Sequence, residues 1–175
     1  LESCISSQHA DGGWVSVVDT IWNAKFLSFF NNTDDLVLNA FAYLNNNRVS
    51  WGFGRSKRDI PRIPVTGLAF YLIPQLASVQ ALNWLENLWL SEKNGLTYKA
   101  AYTLMAFYEN NYTPQNDSLI DDILKWLCSQ QDDDGGFAPW KNHPVNTDVY
   151  CTSVALISIL KYIDQFPQHF DSVQK

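Results

Sequence analysis

A glycine turn recurs along this chain at a nearly constant interval. Gly13, Gly52, Gly95 and Gly136 stand 39, 43 and 41 residues apart, and an apolar run at helical spacing follows each of them. The runs share a register: Thr66-x-x-Ala69-Phe70, Thr103-x-x-Ala106-Phe107 and Thr152-x-x-Ala155-Leu156, with Thr20-x-x-Asn23-Ala24 as a looser copy. A period near forty with two helices per unit builds a solenoid or toroid of helical hairpins. Alanine in this register lets neighbouring inner helices approach closely. No β-hairpin pattern competes. The chain therefore reads as all-α: an α/α-toroid, or partial barrel, of about four helical hairpins with inner and outer helices, in one domain over residues 1–175.

Taken in order, residues 1–7 read as the end of a helix, and Asp11-Gly12-Gly13 as the turn after it. Helices are expected from Asp19 to Phe30 and, after a cap at Thr33 or Asp34, from Asp35 to Asn46. The polar loop Arg55 to Pro64 carries Pro61 and Pro64, which hold it extended. Helices then follow over 65–72, 78–90, 99–109, 118–129 and 148–162, with breaks at Pro74 and Pro114 and a partial helix after Pro167.

Seven Trp, eight Tyr and ten Phe in 175 residues suit a thick core and a ligand-lined cavity alike. A net charge of −6 argues against a nucleic-acid surface. Cys4, Cys128 and Cys151 are too few for a disulfide framework and read as free thiols of a reducing, cytoplasmic compartment. Sequon matches at Asn31, Asn111 and Asn116 are what an Asn-rich chain produces by chance. No run reaches the roughly 18 apolar residues of a membrane span, and no stretch reads as a signal peptide. The chain opens inside a motif without a Met, so it reads as a piece or lobe of something longer.

Two of the turns carry a longer signature. Gln8, Gly12 and Trp14 form Gln-x-x-x-Gly-x-Trp, and Lys125-Trp126-Leu127 leads to Gln131, Gly135 and Phe137 in the same spacing. These residues resemble the glutamine–tryptophan repeats of terpenoid cyclases and the similar turns of protein prenyltransferase β subunits. The two middle copies lack the Gln. The resemblance implies inner and outer helices around an apolar, aromatic-lined cavity for an isoprenoid diphosphate or another hydrophobic anion. Four hairpins fall short of the family's full barrel of six, which leaves a reduced, half-open toroid, a half that a second copy of the chain completes, or one lobe that a partner domain completes. On the residues alone, a Gln at a helix end can bond the exposed amides of the following helix, and its aromatic can pack on the next hairpin.

The family's proton-initiated members use an Asp-x-Asp-Asp-Thr motif at the start of an inner helix. Here Asp19 matches only the last Asp before the Thr, and Asp148 only the first. Either would serve as acid or base, with His143 as an acid–base group at the same rim. Asp34-Asp35, Asp121-Asp122 and Asp132-Asp133-Asp134 lack the distal carboxylate of a magnesium site and read as helix caps and a solvated turn. Asp148 and Cys151 lack the spacing of the prenyltransferase zinc site. No resident metal is expected; Mg2+ would enter only with a diphosphate. Arg55, Arg58, Arg62 and Lys99 would hold the anion, since basic residues and helix N-termini meet there. Trp22, Phe26, Phe70, Tyr98, Tyr102, Trp140 and Tyr150 would contact the substrate, their π faces suited to a carbocation. The competing reading is a non-catalytic binding or scaffold lobe, marked by rim charges paired among themselves and a filled axis.

Overall fold

A computed structural model describes residues 1–30, 34–92 and 95–172. The sequon at Asn31, the cap at Thr33 and the residue Asn94 before the third glycine turn lie outside the described residues. Among those described there are eight α-helices and no strand. They are α1 (Glu2–Ser6), α2 (Val17–Leu27), α3 (Asp34–Asn47), α4 (Ile63–Leu72), α5 (Val79–Glu92), α6 (Thr97–Glu109), α7 (Leu119–Ser129) and α8 (Val149–Lys161). Short 3-10 helices occupy Pro74–Leu76 and Pro167–Ser172.

The helices form two layers. α2, α4, α6 and α8 lie side by side in chain order, each packed on the next. α3 packs on α2, α5 on α4 and α6, and α7 on α6. Composition follows position. α6 lies inside the inner row, and Lys99 to Phe107 are buried on every side. The outer α7 buries one stripe, Leu119, Ile123, Leu124 and Leu127. Small residues set the spacing within the inner row: Ala69, Ala100, Ala106 and Ala155 are wholly buried. At Gly67 a Cβ would lie 2.8 Å from the Tyr102 carbonyl oxygen, so α4 and α6 meet backbone to backbone there.

The expected helices are present, with two corrections: α2 ends at Leu27 and not at Phe30, and the polar loop differs. Pro64 does not hold the loop extended but sits in the first turn of α4, which starts at Ile63. A helix has no intrahelical partner for its first amides, so proline is tolerated at that position. Extended backbone stops at Arg62, the N-cap.

The repeated threonine has a role that its spacing alone does not announce. Thr66 Oγ1 accepts from the Phe53 amide at 2.8 Å and donates to the Phe53 carbonyl at 3.2 Å. Thr152 does the same for Phe137, at 2.9 and 3.3 Å. Thr20 accepts from the Trp14 amide at 3.0 Å. Each aromatic of a turn is thereby pinned to the inner helix that follows, with Trp14, Phe53 and Phe137 almost wholly buried. The third unit has Leu96 here and no aromatic, and among the described residues Thr103 bonds the Lys99 carbonyl of its own helix. Thr66→Val is expected to cost about 1–3 kcal/mol in urea unfolding, because it strands a buried amide. Thr103→Val should cost less than about 1 kcal/mol; equal costs would contradict the clamp.

The glutamines also act differently from expectation. Gln8 Nε2 donates to the carbonyls of Gly12 at 2.8 Å and Leu36 at 2.9 Å, and Gln131 Nε2 to that of Gly135 at 2.8 Å. They close their own turns and do not cap the next helix. That task is taken by Ser16, which accepts from the Asp19 amide, and by Asp148, which accepts from the Cys151 amide at 2.8 Å.

Candidate functional site

The N-terminal ends of the four inner helices converge on one cavity of about 730 Å³. Val18 comes from the start of α2, Ile63, Pro64 and Val65 from that of α4, Tyr98 and Lys99 from that of α6, and Tyr150 from that of α8. Arg55, Ile60, Pro61 and Arg62 of the polar loop complete the mouth, and Leu68, Leu96, Tyr102 and Glu92 the remaining wall. All four inner helices therefore run in the same direction, with their amide-rich ends toward the cavity.

Two of the three cations in this lining have open N–H groups. Asp59, the acid nearest Arg62, already accepts from the Ile60 amide at 2.7 Å and the Arg55 amide at 3.3 Å. Arg62 Nε stands 3.8 Å from it, too far for a hydrogen bond, and its side chain is 55% exposed. Arg55 has no ion pair among the described residues, and its charge reaches Tyr98. Lys99 differs: nearly buried, its ammonium is held by Glu92 at 2.6 Å. Neither α4 nor α6 has a side-chain cap, whereas α2 and α8 do.

One wall is tyrosine. The Tyr150 hydroxyl donates to that of Tyr102 at 3.0 Å, and the Tyr150 ring lies 6.1 Å from Tyr98 and 6.5 Å from Tyr102. Burial pushes the Tyr98, Tyr102 and Tyr150 phenols above their ordinary range, so all three stay neutral.

The cavity thus gathers Arg55, Arg62, Lys99, Tyr98, Tyr102 and Tyr150 from the residues named by sequence. The others lie elsewhere. Phe70 is wholly buried edge-on to Phe53 at 6.2 Å, so it is core. Trp22 and Phe26 are exposed further along α2. Arg58 is exposed, with a left-handed φ of 52°. Asp19 is exposed and accepts from the Ser16 hydroxyl at 2.6 Å. Trp140 and His143 contact each other edge-on at 4.1 Å, and His143 borders a separate recess with Asp132, Asp133 and Asp134. Asp148 caps α8. Burial works against its ionisation, but bonds from the Cys151 and Tyr150 amides and the Cys151 thiol prevail and hold the carboxyl below the usual range. Sequence reading missed Glu92, the last residue of α5, whose carboxylate accepts from Lys99.

No family model matches the chain, and no curated protein matches its sequence. The chemistry is therefore argued from the lining. Its one carboxylate, Glu92, is tied to Lys99, so these residues do not fit a resident magnesium ion. Burial, then the hydrogen bond to Asp148, pushes the Cys151 thiol up to about 12, so it stays protonated. Among the described residues, no helix is long and apolar enough to cross a membrane. The arrangement can hold an anion at the arginines and an apolar body below it. It has no carboxylic acid placed to protonate that body.

Proposed function

We propose that the chain binds an isoprenoid diphosphate, or a hydrophobic anion of similar build, at the mouth of its inner helices. In this reading it is a terpenoid-cyclase- or prenyltransferase-like α/α-toroid that holds its ligand without the acid of proton-initiated cyclisation. The observation that carries the proposal is the pair Arg55 and Arg62, with open donors, above an apolar cavity walled by Tyr98, Tyr102 and Tyr150. The diphosphate sits at the guanidinium groups and the uncapped ends of α4 and α6. The hydrocarbon chain lies along Val65, Leu68 and the tyrosines. Any Mg2+ arrives with the diphosphate.

A second reading, a scaffold that binds nothing here, draws support from the Lys99–Glu92 pair and from Lys57, which reaches Asp11 at 2.6 Å. Titration of the chain with farnesyl and geranylgeranyl diphosphate, followed by intrinsic fluorescence with and without magnesium, separates the two. Saturable binding tighter than that of pyrophosphate or farnesol is expected, with no cyclised product. Absence of binding overturns the proposal and leaves the scaffold.

A further inference from the structure

Among the described residues, α2 and α8, the first and last helices of the inner row, each carry an exposed side, and the two sides complement each other. The shared Thr-x-x-Ala register places Thr152 with Thr66 and Thr103, so Val149 corresponds to Ile63 and Ala100, and Ser153 to Gly67 and Leu104. This side of an inner helix receives the next one, because Gly67 is where α4 meets Tyr102 of α6. Ile63, Ala100 and Leu104 are 0% exposed, whereas Val149 at the same register of α8 is 84% exposed. Ile157 and Leu160 continue that stripe at helical spacing, both more than 40% exposed, and no charged residue interrupts it. At the other end the register of Tyr102 falls on Asp19 of α2. Trp22 and Phe26 follow it at helical spacing, likewise exposed.

We propose that two copies of the chain join head to tail, α8 of one packing on α2 of the other as α4 packs on α6 within the chain. A second copy fits because each chain carries both halves of the joint, and because its inner helices, all running one way, extend the row without inversion. The register also sets polar groups opposite each other. Ser153, in the place of Gly67, faces Asp19 of the second copy, in the place of Tyr102, and its hydroxyl can donate to that carboxylate. Ile157 and Leu160 then meet Trp22 and Phe26 of the second copy in that order, burying four exposed apolar side chains. The joint is heterologous, so it closes into a ring of two or grows.

Sedimentation velocity on the chain without ligand tests this independently of the proposed function. Concentration-dependent association is expected. Ile157→Glu on α8 and Phe26→Glu on α2 change exposed residues, so the circular dichroism spectrum should be unaltered. Each should weaken association at least about tenfold by setting a charge in the joint. Mixing the two variants should restore a dimer that grows no further, since one retains a good α2 side and the other a good α8 side. A monomer at all concentrations overturns the proposal. So does association that either variant alone leaves intact, which would mark a symmetric contact or another surface.

Discussion

Gly12→Ala is expected to destabilise the chain by about 3 kcal/mol, the largest stability effect of any single methyl added here. Two causes add. Gly12 has a φ of 87°, a left-handed conformation that costs an L-residue about 1–2 kcal/mol. Its Cβ would also fall 2.3 Å from the Asn39 carbonyl oxygen of α3. Helix backbone cannot move aside, so overpacking adds about 1–3 kcal/mol. The same turn is closed by Gln8, which bonds both Gly12 and α3, so displacement there loosens the first hairpin. Gly95→Ala isolates the first cause. Gly95 has a φ of 83°, but nothing lies within 4 Å of an added Cβ. Its variant should lose only about 1–2 kcal/mol in the same urea unfolding experiment. If Gly12→Ala cost no more than Gly95→Ala, the close packing of turn on α3 would be contradicted.

Replacing Arg55 and Arg62 together by Ala should raise the Kd for a prenyl diphosphate roughly a hundredfold, about 3 kcal/mol for two charge-assisted contacts. The groups are partly exposed, so each contributes near the lower end of the range for charged hydrogen bonds, and the effect should shrink as salt is added. Lys99→Met provides the contrast. The ammonium of Lys99 is already held by Glu92, so this variant should change Kd by less than about threefold. A larger loss from Lys99→Met than from the arginine pair would mean that the anion displaces Glu92, which the geometry does not favour.

How much of this was legible in the sequence differs between the fold and the site. Helical periodicity and the Thr-x-x-Ala register reveal the all-α layers, because tight packing of inner helices needs small residues at fixed places. The register also points to Tyr98, Tyr102 and Tyr150, which stand near the N-terminal ends of inner helices. It cannot tell which way a residue in the middle of such a helix faces. Phe70 and Tyr71 are neighbours, and it is Phe70 that turns into the core beside Phe53. The partners of the charged groups are equally hidden. Asp148 looks like a surviving acid in sequence, but the amides of its own helix hold it ionised. Lys99 looks like an anion ligand, but its ammonium is paired with Glu92 at the end of α5.

The most direct test of the binding account is a crystal structure of the chain with farnesyl diphosphate. The account predicts the diphosphate within hydrogen-bond reach of Arg55 and Arg62, and the farnesyl chain against Leu68, Tyr98 and Tyr102. A ligand bound elsewhere, or a cavity left empty at saturating farnesyl diphosphate, would contradict it.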